Sequence, residues 1–505
     1  MDAQTLMQQF AGLTPGGNIP ALGGSQGGSL DALGDLKKAL EASNYQTDVS
    51  TLTGGGALGV QSLDTAMKTT IQEQQHFVLF KRLQQTNATN IVDEYTRQTG
   101  IGGFLGGSTN SQMGVVRAAQ GEYSREVGLV KFLMTLRQVG YVLNIGKNIV
   151  EATAVEERNG ALQLMTDAEY LLFYGNSEAC PTEFDGIFKQ IDDEIAAGKM
   201  SAGNIVDMQG TPLTTVEPFS KINASVFDYG SWGRITDVFM PTAVQTDLNL
   251  GLDPAFRWSS QQGQTLNLGG HVEGIRLTEG VLKTNIDTFL HHDGFVMAKP
   301  FELSFPALAT ANDSYKPAAV AVDAATSDAA SQFTAPRAGN YYYAVAGIGA
   351  AGQGQSTILK SSQIAVASGK RARITITVSG SGSETGYAIY RGRLNGTNGT
   401  SDLRLMCVVK RTGNSTVYDD LNRDIPGTVK VPVLNLDKSA DAIGWRQFQP
   451  MTKIPLPFGV GGVPVVSWFQ FLFGYLRVTK PKHHGYIKNI LPKTAKWDPF
   501  GANSN

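Results

Sequence analysis

The stretch KNIVEATAVEERNGALQLMTDAEYLLFYGNSEACPTEFDGI, residues 147–187, limits what this chain can fold into more than any other. Between residues 150 and 174, Ala154, Ala161, Leu164, Met165, Ala168, Leu171 and Leu172 recur at helical spacing, while Glu151, Glu156, Glu157, Arg158 and Asp167 fall elsewhere on the wheel. A long amphipathic helix is the expectation. At ~1.5 Å per residue it extends more than about 30 Å, and Gly175 is expected to end it in the left-handed conformation open to a residue without Cβ. The EFDG segment at 183–186 reads as extended.

Ahead of this rod the pattern is looser. Residues 1–60 are rich in Gly, Ser, Thr and Gln around one helical island, SLDALGDLKKALEASN, in which Leu30, Leu33, Leu36 and Leu40 share a face below the cap candidate Ser29. Such a segment reads equally as a mobile tail with a transient helix or as an arm that a neighbour orders. Residues 62–75 read as a short helix with Leu63, Ala66, Met67 and Ile71 on one side, and FVLFKRL at 77–83 reads as a strand. From Leu83 to Val130 there are too few periodic apolar residues for a core, and glycine pairs recur. A projecting hairpin fits that pattern, and because a lone hairpin is marginal in water it should rest on something.

Beyond the rod, residues 216–230 have helical spacing, ITDVFM at 235–240 reads as a buried strand, and a further helix opens at Pro241. That alternation is an α+β pattern. HVEGIRLTEGVLKTNIDTFL then alternates at period two, giving further strands. From Pro306 the texture changes. Residues 307–433 are dominated by Ala, Ser, Gly and Thr, with short strands YYYAVAG, SQIAVAS, RARITITV, GYAIYRG, LRLMCVVK and TVYDD between turn residues, and clear alternation at Ala372, Ile374, Ile376 and Val378. Regular short strands of this kind mark a β-sandwich, here resembling fibronectin type III or immunoglobulin-like modules. It reads as an insert, after which WRQFQPMTKIPLPFGVGGVPVV returns to the host. VPVVSWFQFLFGYLRV at 463–478 is shorter than the ~20 residues of a spanning helix and is broken by Gln470 and Gly474, so buried strands are expected and no membrane segment.

Charge narrows the function classes. Charged residues make up 17% of the 505-residue chain, low against a typical ~25%, so much of the surface must be neutral or covered by neighbours. A formal net charge of −2 argues against a dedicated nucleic-acid binder. Contact with nucleic acid would be diffuse. Cys180 and Cys407 lie far apart in differently patterned regions, which indicates neither a disulfide framework nor a metal knuckle. MDAQTLMQQF has neither the basic start nor the apolar run of a signal peptide, so export is not expected.

Candidate chemistry is thin. Gly347-Ile348-Gly349-Ala350-Ala351-Gly352 matches GxGxxG after a strand, but a dinucleotide site needs a helix next and an acid about 20 residues on; QGQSTILKSSQIAV follows, with no Asp or Glu before Glu384. His291-His292-Asp293 and His483-His484 place neighbouring imidazoles on opposite faces if they lie on strands, so solvated or subunit-interface histidines are expected and no metal. Glu156 and Glu157 sit about 100° apart on the rod, unsuited to paired acid–base work. No catalytic, cofactor or metal residue is nominated, and no enzyme is expected.

Five stretches carry a resemblance: GGGALGVQSLDTAMK (54–68), TNIVDEYTRQTG (89–100), the LLFYGN and EFDGIF segments bounding residues 171–188, IVDMQGTPL (205–213) and YLRVTKPKHHGYIKNI (475–490). In this order they resemble the major capsid proteins of tailed bacteriophages, whose fold is the Hong Kong 97-type capsid fold. The resemblance implies an α+β subunit with an N-terminal arm (1–78), an extended loop hairpin lying across the adjacent subunit (79–135), the spine helix and peripheral domain (136–200), an axial domain (201–305), the inserted immunoglobulin-like sandwich (306–435) and a return to the axial and peripheral domains (436–505). It further implies self-assembly into pentamers and hexamers of an icosahedral head around double-stranded DNA, in the host cytoplasm, with scaffolding, portal or decoration proteins as partners. Some relatives weld subunits through a lysine of the extended loop, an asparagine and a glutamate base; residues 82–130 contain no lysine, and arginine is no substitute because its guanidinium stays protonated. The sandwich alone suggests a different class, a surface adhesin or carbohydrate-binding protein.

Overall fold

The computed structural model describes residues 77–146, 151–230, 232–251, 274–290, 313–349, 356–459 and 463–501. The helical island at 29–44, the helix expected at 62–75, the stretch at 54–68 and the His291-His292-Asp293 group lie outside these residues.

The chain is α+β. Its first described element is α1 (Leu79–Arg82), followed by β1 (Gln84–Asn87), the hairpin strands β2 (Val92–Gly100) and β3 (Glu122–Leu129), β4 (Lys131–Gly140), α2 (Tyr141–Ile145), α3 (Ala152–Tyr174) and α4 (Ile187–Ala196). FVLFKRL is therefore a single helical turn, not the expected strand. The reason is tertiary: the Leu79 and Phe80 amides point at the buried Glu169 carboxylate, which satisfies two donors that a helix start leaves open. No pattern of alternating apolar residues can reveal an acid ninety positions away.

The rod is α3, and it lies on a four-stranded sheet ordered β1-β19-β20-β4, in which β19 is Ile443–Pro455 and β20 is Val465–Val478. β20 is one continuous strand. Gly160 lets the helix sit close, since a Cβ there would come 1.8 Å from Gln470 Oε1; Gln470 Nε2 in turn donates to Glu157 O at 2.8 Å. The expected one-faced helix is found only in its first half. In the second half Leu164, Ala168, Glu169, Leu171, Leu172 and Phe173 are all buried, because the rod there runs between two sheets. Gly175 does stop the helix, but with φ −56° and ψ 140°, not left-handed. Its missing Cβ matters for space: one built there would lie 2.1 Å from Phe184 O, where the EFDG segment folds back and Gly186 N–H donates to Gly175 O.

The second sheet has six strands, ordered β5-β21-β18-β6-β8-β7. They are β5 (Ile205–Asp207), β6 (Asp237–Met240), β7 (Gly274–Leu277), β8 (Gly280–Ile286), β18 (Val429–Leu434) and β21 (Gly485–Ile490), with α5 (Glu217–Tyr229) and α6 (Thr242–Gly251) on one face. Period-two alternation divides its side chains cleanly. Phe239, Leu434 and Tyr486 join the apolar cluster around the rod, while Val238, Met240, Val433 and Ile487 join Phe219, Ile222, Val244 and Leu248 beneath the two helices. A strand buried on both sides explains why Val238, Phe239 and Met240 are apolar in succession.

Between β8 and β18 the described residues form nine strands, β9 (Ala319–Asp323), β10 (Gly339–Tyr341), β11 (Tyr343–Gly349), β12 (Leu359–Lys360), β13 (Ile364–Val366), β14 (Ala372–Thr377), β15 (Glu384–Gly392), β16 (Leu403–Lys410) and β17 (Ser415–Asp420). Antiparallel sheets β12-β11-β15-β16 and β17-β14-β9 share one apolar cluster, with Tyr343, Val345, Tyr387 and Ile389 from the first and Val322, Ile374 and Ile376 from the second. The alternation at Ala372, Ile374 and Ile376 points inward.

Candidate assembly surface

The hairpin leaves the body at β2 and returns at β3, paired from Val92↔Leu129 to Gly100↔Glu122. Its root is fixed by charge. Arg446, from the body sheet, grips Asp93 through Nε at 2.8 Å and Nη2 at 3.0 Å, and the Tyr475 hydroxyl donates to the same carboxylate at 2.6 Å. The Arg446 bonds hold Asp93 below the usual carboxylate range despite burial; burial and the Asp93 charge together push the Tyr475 phenol up. One turn further out, Arg97 bridges Glu126 of the hairpin at 2.5 Å and Glu194 of α4 at 2.8 Å. Burial opposes the Glu126 charge, but its bonds from Arg97 and Ser124 outweigh it and lower its pKa. Arg477 lies over the Tyr95 ring at 5.3 Å. Tyr95, Arg97, Glu126, Glu194, Tyr475 and Arg477 line a cleft of about 390 Å³ between hairpin and body.

Beyond Arg97 the hairpin carries mainly exposed side chains. Apart from Asp93 and Gly128 at the root, burial along β2 and β3 alternates between exposed and half-buried, and in the connecting loop Ile101, Phe104, Leu105, Met113, Val115 and Val116 all stand in solvent. Met113 is 97% exposed. Burying a side chain of that size is worth about 1.5–3 kcal/mol, so a loop with six of them bare is unsatisfied as it stands.

The second open surface is the face of the four-stranded sheet turned away from α3. β4 presents Phe132, Met134 and Leu136 on that face, opposite Phe473, Phe471 and Phe469 of β20, with Ile454 of β19 beside Phe469. Phe132 and Phe473 meet edge-on at 4.9 Å, and Phe471 stacks on Phe473 at 4.8 Å. The strip continues to Tyr141 and Phe458, whose centroids are 5.0 Å apart. Phe132, Met134, Leu136, Ile454 and Phe469 are exposed. Contiguous apolar surface of this kind marks a site of association.

The sequence candidates for chemistry fall away in different ways. Gly347 and Gly349 lie in β11, where a Cβ would come 1.8 Å from Tyr315 O and 2.3 Å from its ring, so they make room for a packed tyrosine. Glu156 and Glu157 face apart, one paired with Arg137 and the other with Lys453. His483, half-buried, ends a 3-10 turn that His484 caps, so the pair does not lie on a strand; His484 is buried, with Nδ1 accepting from Asn435 N–H at 3.2 Å and Nε2 facing Ala442 O at 3.4 Å. Burial pushes its pKa down to about 3. Cys180 and Cys407 are free thiols. Among the described residues no group of three or more His, Cys, Asp or Glu is placed to hold a metal, and no helix is long and apolar enough to cross a membrane.

Sequence reasoning missed the open sheet face and the Asp93–Arg446–Tyr475 root. The signal for the face was present: FLMTL and WFQFLF are apolar at both odd and even positions. Such runs read as strands buried on both sides, whereas here one side is covered by the rod and the other by nothing in the described subunit. The buried Glu169 had no local signal at all.

No protein-family model matches the chain, and no curated protein matches its sequence. Among solved structures it is similar to the capsid of the native GTA particle, at 8% identity over 88% of this chain and 100% of that one, with a TM-score of 0.44. It is similar to a structure of Mycobacterium phage Adephagia at 8% identity over 88% and 98% of the two chains, TM-score 0.41. The holo-SrpI encapsulin complex from Synechococcus elongatus matches at 9% identity over 88% and 96%, TM-score 0.38.

Proposed function

We propose that this chain is the major capsid protein of a tailed bacteriophage, a structural subunit without catalytic activity that assembles in the host cytoplasm as pentamers and hexamers of an icosahedral head around double-stranded DNA. One observation carries the reading: a single subunit leaves open two large apolar surfaces, the hairpin loop around Phe104 and Met113 and the sheet face around Met134 and Phe471. A hairpin resting on the sheet face of the next copy covers both. Because the hairpin root is held by Asp93–Arg446 and Arg97–Glu194, the arm is presented in one direction, as a repeating contact needs. The ordered set of family-like stretches supports the same reading.

In this proposal residues 1–78 are the N-terminal arm, 79–135 the extended loop hairpin, 136–200 the spine helix and peripheral domain, and 201–305 with 436–505 the axial domain and its return. The immunoglobulin-like insert expected over 306–435 narrows in this proposal to the strands of residues 319–420, because β18 pairs with β6 and β21 of the host sheet. Packaged DNA fills the interior, so the insert has room chiefly outside. Since residues 82–130 hold no lysine, contacts between subunits are non-covalent, and boiled particles should run as single subunits on a denaturing gel; a ladder of multimers contradicts this. The main test is electron microscopy of the expressed chain. Closed shells or capsomer rings are expected. Discrete monomers whose hairpin resists proteolysis would overturn the proposal and favour the adhesin or carbohydrate-binding reading.

A further inference from the structure

Two carboxylic acids outside the surfaces described above meet in the interior. Glu169, on the rod, and Asp287, just after β8, are both 0% exposed. Glu169 accepts the Leu79 amide on Oε1 at 2.7 Å and the Phe80 amide on Oε2 at 2.9 Å. Asp287 accepts the Phe289 amide on Oδ1 at 2.8 Å, while its Oδ2 is buried without a donor. The two side chains lie within hydrogen-bonding reach of each other. Burial, then the neighbouring charge, drives the Glu169 pKa well up, and burial lifts Asp287 to about 7.

Among the described residues, three elements bring polar or charged groups toward the pair. α1 contributes its two amides; its Arg82 turns to Asp237 of β6, and its Lys81 lies in solvent. The rod contributes the Tyr174 hydroxyl, whose pKa burial raises and on which the Asp287 charge acts. The turn Thr288–Leu290 contributes the Phe289 amide. Two adjacent anions in such a place are excluded on energetic grounds, and a proton on Asp287 Oδ2, donated toward Glu169, resolves both the repulsion and the orphaned oxygen.

We propose that Glu169 and Asp287 share one proton, and that this proton clamps the segment at residues 77–82 onto the rod and the six-stranded sheet, releasing it as the proton is lost. The device goes beyond the shell reading and does not depend on it. Release follows from geometry: the pair can be solvated where α1 covers it, and α1, one turn held by two amides to Glu169 and by the packing of Leu79 and Phe80, is the element whose local opening admits water. The sign is fixed. The closed pair binds its proton more tightly than solvated carboxyls do, so opening expels a proton to solvent and is favoured by rising pH. Opening grows by up to about tenfold per pH unit and levels off above the pair's own titration. Because this segment is where residues 1–76 join the described body, the clamp sets how firmly that junction is held.

The test is hydrogen exchange on the full chain, following the Leu79 and Phe80 amides with strand β20 as internal reference. After correction for intrinsic exchange, their protection is expected to fall about tenfold between about pH 6 and 8 while β20 holds constant. Asp287→Asn replaces the shared proton with an amide that cannot ionise, and its profile should be flat. A flat wild-type profile, or the wild-type slope in the Asp287→Asn chain, overturns the proposal. A second measurement needs only the wild-type protein: an infrared band of a protonated carboxylic acid persisting at neutral pH is expected, and its absence is equally fatal.

Discussion

At the scale of single residues, the buried polar groups decide more than the sequence pattern suggests. Arg391 and Asp420 are fully buried inside the nine-stranded unit and bonded at 2.6 Å, with Tyr343 and Asn422 completing the set and Arg391 lying over the Phe333 and Tyr341 rings. Burial disfavours the Arg391 charge, and Asp420 more than restores it. Removing one partner strands the other, so Asp420→Ala should cost about 3–5 kcal/mol in urea unfolding of that unit; a loss under about 1 kcal/mol would mean the pair is not structural. His484 gives a pH-dependent expectation of opposite sign to the carboxyl pair. Its folded pKa of about 3 lies below the ordinary histidine value, so its stabilising contribution is present above about pH 6.5 and is lost as pH falls, at up to roughly 1.4 kcal/mol per unit. Denaturant titrations at about pH 7 and 5 should show that loss in the wild type and a smaller one in His484→Gln. Equal losses would place the effect elsewhere. Residue-level reading of the sequence identified Gly175 as the end of the rod yet misjudged why, because the approach of Phe184 O is a tertiary fact with no local trace.

At the scale of elements, legibility followed periodicity. The rod, the helix over Glu217–Tyr229, the buried strand Asp237–Met240 and the strands β11 and β13 to β17 were visible from their runs or alternation of apolar residues. β9, AVAVD, was not: alanine carries little contrast with the polar residues around it. α1 was misread because Glu169 dictates it. The hairpin was legible by its lack of a core. β1 pairs with β19 and β4 with β20, so within residues 79–135 the part standing clear of that sheet is β2, β3 and their loop. That part hangs on Asp93, whose carboxylate joins β2 to Arg446 and Tyr475. Asp93→Ala leaves the half-buried Arg446 guanidinium without its carboxylate and should raise proteolysis of the hairpin at least several-fold while the body's unfolding transition moves little. If cleavage is unchanged, the Arg97–Glu194 pair alone holds the arm.

At the scale of the whole molecule, the relation between the nine-stranded unit and its host can be reasoned from register. β9 and β17 both run antiparallel to β14, with Ala319 opposite Thr377 and Asp420 opposite Ala372, so the unit's two ends lie at opposite ends of β14, roughly 17 Å apart. The host ends are closer. Ile286 of β8 pairs with Met240, while Leu434 of β18 pairs with Asp237 and Val429 therefore starts at the Met240 end of β6. Both host ends thus lie at one end of the six-stranded sheet, separated by a single strand and about 10 Å. A Gly/Ser bridge of about eight residues, with an r.m.s. reach of roughly 15 Å, can join them without strain. Against this stand the contacts that orient the unit. Thr385 Oγ1 donates to Ala179 O, Leu394 N–H donates to Pro499 O at 2.9 Å, and Trp497 donates to Asp402 while lying under Arg404. The chain's last described residues therefore strap the unit to the body, and it is held at a fixed angle instead of swinging on its linkers. Deleting the unit bares Trp497 and Phe500 but removes nothing from the clusters around the rod or beneath α5 and α6. The bridged deletion is expected to fold and to build shells of normal size that lack an outer knob in electron micrographs. Chains that fail to fold, or that fold without building shells while the full chain builds them, would show that the unit is part of the host architecture and that its boundaries as an insert are wrong.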